Sequence, residues 1–340
     1  MSIQARRLAE SPVLTGGVPP VQQVAAPLPP SDDERLRARL SELHLRQRLS
    51  MESAHGKAVF GYGRTFFHIE NWYSIHAVIR GTLRLMGIYG RGQRNARALK
   101  VVHNPVTLPA LPAAFSGLRL LHLSDLHLDG DPEYLHTLCE RVQEVDADLT
   151  VITGDFRYRT HGDWRPAMAA LERLRRLLPG EVYAILGNHD TVRMVPTIED
   201  FGIRLLLNEH VVLERGADRL YLAGIDDPHY FCTDNIERAA ENVPLDACAI
   251  LLAHSPEAYW QAAHSGFDLL LAGHTHGGQL CLPGGFALMT NADCPRSFCR
   301  GPFRYCDMQG YTSAGTGSSI VSVRFNCPPE LVVHELRRPQ

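Results

Sequence analysis

Six short apolar runs constrain this chain more than any other feature. They are LRLLHLSD (118–125), ADLTVITGD (147–155), EVYAILGNHD (181–190), RLYLAGIDD (219–227), ACAILLAHS (247–255) and FDLLLAGHT (267–275). Each is nearly continuous in apolar residues, as strands covered on both faces must be. Each stops at a small or polar residue followed by Asp, Asn or His. Helix-like stretches such as DPEYLHTLCERVQEV and WRPAMAALERLRRLL separate several of them. The alternation predicts an α/β fold with chemistry gathered at one end of the strands.

The remainder of the 340 residues reads differently. Residues 1–32 carry VPPVQQVAAPLPPSDD and are expected to be a disordered tail. A helix is expected over 31–52, with Ser31 as N-cap and acidic residues in its first turn. Residues 70–94 place Ile75, Val78, Ile79, Leu83, Leu85, Met86 and Tyr89 mostly three or four apart, with Arg80 and Arg84 on another face and Arg91 and Arg94 following. A basic amphipathic helix suits an anionic membrane surface; packing on the domain with solvated arginines is the alternative. The expected division is a tail (1–32), a helical extension facing membrane or substrate (33–110) and a main domain (111–340).

Composition excludes several classes. No secretory signal and no long apolar window is visible, so neither export nor a spanning helix is expected. The net charge of −3 and the lack of a dense Lys/Arg run argue against nucleic acid as a partner. Eight scattered cysteines without a CxxC pair read as reduced thiols in the cytoplasm. The spacing of Cys294, Cys299, Cys306 and Cys327 matches no strong zinc pattern.

Five of the strand ends share one format: SDLHL (Asp125, His127), TGD (Asp155), GNHD (Asn188, His189, Asp190), AHS (His254) and GHTH (His274, His276). Carboxylate, amide and imidazole without thiolate suit Mn, Fe, Zn, Ni or Co. Glycines before Asp155, Asn188 and His274 would let the backbone turn sharply. Asp125 and His127, two apart at a strand end, would share a face and grip one ion. If that alternation loosens in the GHTH turn, His274 and His276 can serve two ions. Asp226, Asp227 and His229 end another strand and are read as a turn cap or a substrate contact. His122, His136, His161, His210, His264 and His334 are read as ordinary core or surface residues.

In this order, these motifs resemble the calcineurin-like metallophosphoesterase superfamily, over roughly residues 117–336. The resemblance implies a layered β-sandwich flanked by helices. It also implies two divalent metal ions, manganese first, with iron, zinc or nickel as alternatives. Asp125, His127 and His276 would hold the first ion, and Asn188, His254 and His274 the second, with Asp155 bridging. His189 would face the phosphoryl oxygens or the leaving group, oriented by Asp190. Hydrolysis would proceed through a metal-activated hydroxide on a phosphoester.

GDFRYRT and LGNHD differ from the GDxxDRG and RGNHE of protein Ser/Thr phosphatases. They leave Arg157 and Arg159 near Asp155, as partners for a second phosphate or as a solvated loop. Gln279 is a candidate to reach substrate. The segments LAGIDDP, LLAHSPE and DLLLAGHTHGGQ are similar to bacterial phosphodiesterases that often carry a membrane anchor, among them enzymes resembling UDP-2,3-diacylglucosamine pyrophosphatase. That likeness implies a lipid-linked phosphodiester or pyrophosphate. The sequence departs from the anchored members in lacking a spanning helix, which the stretch 70–94 would replace, so the expected location is the cytoplasm or, peripherally, the inner face of the cytoplasmic membrane. A metal-binding scaffold without activity is the reading from another class; no expected ligand is missing.

Overall fold

All six apolar runs form strands, and they divide between two sheets. The computed structural model describes residues 30–55 and 73–339. The first sheet contains β1 (Lys100–Thr107), β2 (Arg119–Leu123), β3 (Leu149–Thr153), β4 (Glu181–Ile185) and β5 (Ile203–Leu205). The second contains β6 (Glu209–Arg215), β7 (Asp218–Gly224), β8 (Ala249–Leu252) and β9 (Leu269–Ala272). A small hairpin, β10 (Cys281–Leu282) and β11 (Phe286–Ala287), follows. Strands β12 (Gly301–Tyr305) and β13 (Met308–Thr312) then extend the second sheet, and β14 (Glu330–Arg337) returns to the first. The orders are β1-β14-β2-β3-β4-β5 and β12-β13-β9-β8-β7-β6.

Side-chain alternation builds the layers. Leu120 and Val151 of the first sheet face Leu222, Ile250 and Leu271 of the second in a shared interior. Leu121, Leu123 and Ile152 point the other way, against Leu138 of α5 (Pro132–Gln143) and Leu171 of α6 (Arg165–Arg175). On the outer face of the second sheet, Leu251 and Leu270 pack with Ile236 of α8 (Ile236–Ala239) and Ala262 of α9 (Tyr259–His264). The architecture is therefore α/β, a two-sheet sandwich flanked by helices. Strands β2, β3, β4 and β5 run parallel, as do β7, β8 and β9, so within each set the C-terminal ends share one edge.

The helix expected over 31–52 is two helices, α1 (Asp32–Arg39) and α2 (Glu42–His55). The break falls at Ser41, whose hydroxyl accepts the His44 N–H (3.3 Å), an N-cap bond that starts α2 afresh. Between them, Leu36, Leu40 and Leu45 reach the core. Of the 70–94 stretch, residues 70–72 lie outside the described residues. The rest forms α3 (Tyr73–Leu85) and α4 (Tyr89–Arg97), parted at Gly87, whose φ of 70° ends the first. The expected apolar stripe is not buried as a unit. Ile75 and Ile79 turn inward, whereas Val78, Leu85 and Met86 are exposed at 64%, 91% and 63%. Among its described residues, the 33–110 segment thus comprises α1–α4 and strand β1, which pairs parallel with β14. The expected tail falls almost wholly outside the described residues.

Candidate metal centre

Every ligand candidate lies just past the C-terminal end of a strand. Asp125 and His127 follow β2, Asp155 follows β3, Asn188 follows β4, His254 follows β8, and His274 and His276 follow β9. The backbone there is not extended. Asp125, His127, Asp155, His274 and His276 have φ of 53°, 44°, 58°, 68° and 48°. Such left-handed conformations are costly for non-glycine residues and gather at functional sites. Asp125 and His127 therefore converge through this turn, and not through the strand alternation expected of them. The glycines at 187 and 273 also serve differently than expected. A Cβ on Gly273 would stand 1.7 Å from Ser124 Oγ and 2.6 Å from Asp125 Oδ2, and one on Gly187 would stand 2.3 Å from Asp155 Oδ1. They let one ligand loop lie against the next.

Two donor sets result. In the first, His276 Nε2 lies 3.2 Å from His127 Nε2 and 3.5 Å from Asp125 Oδ1, and His127 Nε2 lies 3.7 Å from Asp155 Oδ2. In the second, Asn188 Oδ1 lies 2.8 Å from His254 Nε2 and 3.0 Å from His274 Nδ1, and His254 Nε2 lies 3.5 Å from Asp155 Oδ1. Asp155 reaches into both, one oxygen to each.

Hydrogen bonding fixes three of the rings. His127 Nδ1–H donates to Arg157 O (2.9 Å), His254 Nδ1–H to Thr153 O (2.7 Å) and His274 Nε2–H to Asn291 O (2.9 Å). In a neutral ring such a bond leaves the opposite nitrogen's lone pair facing the centre. In the second set the two lone pairs flank the Asn188 carbonyl oxygen, and lone pairs packed so closely need a cation between them. In the first, Arg324 Nη2 lies 3.3 Å from His276 Nδ1, on the side of the ring away from the centre.

Electrostatics point the same way. Burial, together with the Asp190 and Asp125 carboxylates, pushes the Asp155 carboxyl well above its usual range. Burial first, then neighbouring cationic groups, holds His274 and His276 well below theirs. Crowded buried carboxylates beside neutral imidazoles are what a divalent ion stabilises. Among the described residues, the groups of buried His and Asp with donor atoms within 4.8 Å of one another all fall here: Asp125/His127/His276, His127/Asp155/His189 and Asp125/Asp155/His254. The residues fit divalent metal.

Several expected roles change. Asp190 does not orient the His189 ring. Its carboxylate accepts the N–H groups of Asp155 (2.8 Å), Phe156 (3.0 Å) and Gly187 (2.9 Å), clamping two ligand loops together. The His189 ring is held by Tyr158, whose carbonyl accepts Nδ1–H (2.8 Å). Arg157 is buried and donates to the carbonyls of His189, Thr160 and Gly162, so its guanidinium faces the loop and not a ligand. Gln279 lines a cavity at the centre, but its amide group donates to Ser319 O (2.9 Å) and Val321 O (2.8 Å) and accepts Ser319 N–H (3.0 Å). It secures a loop. Arg159 alone of these three is exposed, beside His189.

Asp227 caps its turn by accepting the N–H groups of Tyr230 (2.7 Å) and Phe231 (2.6 Å). Asp226 instead pairs with two residues of α2, His44 (2.9 Å) and Arg48 (3.1 Å). Arg48, fully buried, also donates to Asp190 O (2.9 Å), and Glu52 accepts Val192 N–H (2.8 Å). Helix α2 thereby braces the segment after His189, a role no local motif announces. The late cysteines do not form one cluster. Cys294 and Cys299 meet at 3.5 Å, while Cys327 lies beneath the His276 carbonyl.

Paired His/Asp donor sets at one edge of a two-sheet sandwich define a candidate divalent-metal site. The family model for the calcineurin-like phosphoesterase matches residues 118–278. The chain is 31% identical over 262 residues to the uncharacterized metallophosphoesterase YkoQ of Bacillus subtilis, covering 72% of this chain and 93% of that one. It is 31% identical to a zebrafish transmembrane protein with metallophosphoesterase domain, over 73% of this chain and 59% of that protein. Phosphodiesterase YaeI of Escherichia coli is 29% identical, over 64% of this chain and 82% of its own. The chain belongs to the calcineurin-like phosphoesterase family, and it is a hydrolase of phosphoric esters.

Proposed function

We propose that the protein hydrolyses a phosphodiester or pyrophosphate bond of a lipid-linked substrate, with Asp125, His127 and His276 holding one divalent ion, Asn188, His254 and His274 the other, and Asp155 bridging them. Manganese is the ion proposed. Bound there, two ions supply Lewis-acid charge for the phosphoryl oxygens and acidify a water. The chain's own groups do the rest. Burial, with His127 and Arg157 nearby, holds His189 well below its usual range, so its resting ring is neutral. An arriving phosphoryl anion raises its proton affinity, and Nε2, opposite the Tyr158 bond, is the atom that takes and returns the proton.

The lipid-linked form rests on one observation. A cavity of about 270 Å³ has Asp155, Asn188, His189, His274 and His276 at its base and Ile75, Ile79, Leu280, Leu288, Met289 and Val321 among its walls. Apolar walls directly over a charged centre suit an acyl or prenyl group beside the scissile phosphate. Val78 and Leu85 are exposed on α3, which also supplies Ile75 and Ile79, and Leu282 and Phe286 are exposed on the hairpin between Leu280 and Leu288, which supports contact with a membrane surface. The kinship with YaeI supports a diester over a monoester. UDP-2,3-diacylglucosamine is the sharper candidate within this class.

The test is Mn²⁺-reconstituted hydrolysis of p-nitrophenyl phosphate, bis-p-nitrophenyl phosphate and UDP-diacylglucosamine side by side. A lipid nucleotide cleaved far faster than the generic diester supports the full reading. Equal or slower cleavage removes the lipid from it, and a monoester preferred over both removes the diester. His189→Ala is expected to lower kcat by about 10²–10⁴ while metal content stays unchanged.

A further inference from the structure

A second cavity adjoins the centre on the other side of His189. Its volume is about 440 Å³, and Arg80, Arg84, Tyr158, Arg159 and Ser319 line it together with His189. Three arginines line one space that, among the described residues, no carboxylate lines, and the Arg84 guanidinium also lies over the Tyr89 ring, 5.0 Å from its centre. Four other arginines of the helical extension are arranged otherwise, although Arg37, Arg46, Arg91 and Arg94 likewise pair with no carboxylate among the described residues. Arg35 pairs with Asp200, Arg39 with Glu199 and Glu209, Arg48 with Glu52 and Asp226, and Arg97 with Asp131 and Glu133. Among the described residues no carboxylate pairs with Arg80, Arg84 or Arg159. Three like charges around one hollow repel one another unless an anion is drawn between them.

We propose that Arg80, Arg84 and Arg159 form a subsite for a second, non-scissile phosphate carried by the substrate. The placement is specific. His189, Ser319 and Ile320 line both cavities, so a phosphoryl group at the centre has apolar walls on one side and guanidinium groups on the other. Helix α3 makes both walls, with Ile75 and Ile79 toward the first and Arg80 and Arg84 toward the second. Tyr158 fixes the shared boundary, its carbonyl on His189 and its hydroxyl donating to Ile320 O (2.8 Å). Planar guanidinium groups bind phosphate through paired N–H donors, and several of them favour a dianion over a monoanionic diester. The substrate class that fits is a phosphodiester or pyrophosphate with an apolar group on one side and a further phosphate on the other. This rests on the phosphoesterase reading of the centre.

The test compares the p-nitrophenyl esters of thymidine 5′-phosphate with and without a 3′-phosphate, on Mn²⁺-loaded protein free of vesicles. The 3′-phosphate is expected to lower KM about tenfold or more. In Arg80→Gln/Arg84→Gln that ratio is expected to fall toward one, and Arg159→Gln to reduce it further. A wild-type ratio of one, or a ratio the variants preserve, overturns the subsite. So does loss of flotation with phosphatidate-containing vesicles in the variants while the ratio stands, because the arginines then belong to a lipid surface. A separate measurement guards against failure of the phosphoesterase reading itself. Calorimetry of the metal-free protein with inorganic phosphate is expected to detect binding that Arg80→Gln/Arg84→Gln removes. Binding without hydrolysis of either ester keeps the subsite and rejects the proposed diesterase reading of the centre; no binding rejects the subsite.

Discussion

Asp190 illustrates how a residue can matter to a site without touching what the site acts on. Its two oxygens hold three backbone N–H groups that belong to two different ligand loops, TGD and GNHD. Replacing it with Ala leaves three buried donors unpaired, each worth about 1–3 kcal/mol. Asp190→Ala is therefore expected to lower stability by several kcal/mol in chemical unfolding, with metal affinity falling in step as Asp155 and Asn188 drift apart. Unchanged stability with lost activity would restore the catalytic role expected of it from sequence. The placement of the candidate ligands was legible because a turn after a strand is a local event, written in adjacent letters. The partners of Asp190, Arg157 and Gln279 were not. A carboxylate that accepts backbone N–H groups and one that accepts an imidazole N–H have the same letter. The left-handed backbone at five ligands was equally hidden, since nothing in D-x-H distinguishes a strand end from a strained turn.

Elements reveal a second kind of concealment. Helix α2 reaches the centre through Arg48, which meets Asp190 and Asp226 far along the chain, and periodicity reports nothing about such distant pairs. The six strands were readable from their apolar runs. The breaks at Ser41 and Gly87 were passed over because helical spacing continues across them. Two strands also share a feature with a measurable consequence. His122 of β2 and His334 of β14 meet at 3.2 Å in the interior, with His122 Nε2 also bonded to Thr153 Oγ1 (2.9 Å). Burial lowers His122 to about 3 and His334 well below its usual range. Both rings are neutral when folded, and the unfolded chain binds more protons below about pH 6.5. Their contribution is thus complete above that pH and is lost as pH falls toward 3. Each ring adds up to about 1.4 kcal/mol per pH unit to the decline. Replacing both with Gln is expected to flatten the pH dependence of unfolding between pH 6 and 4, and an unchanged slope would place these protons elsewhere.

At the scale of the whole molecule the metal centre is a seam between sheets. The first sheet delivers Asp125, His127, Asp155 and Asn188, and the second delivers His254, His274 and His276. An ion held by both sheets binds the folded chain and not the unfolded one, so saturation at 100 times Kd adds about 2.7 kcal/mol. Chelation is expected to lower Tm by several degrees, and Mn²⁺ to restore it in the wild type but not in Asp155→Asn. A Tm indifferent to both would mean that the sandwich edge is closed by protein contacts alone.

Strand β1 adds a consequence in time. It pairs in register with β14, Lys100 beside Glu330, and β14 in turn separates β1 from β2. On the ribosome, β1 emerges long before the strand it needs. Through most of synthesis the first sheet therefore stands open at β2, and α1–α4 have a finished scaffold only in part. The late arrival of β14 closes the sheet and gives β1 its partner, so a chain cut short by its last ten residues leaves β1 unpaired while α1 and α2 stay tied through Arg35, Arg39 and Arg48.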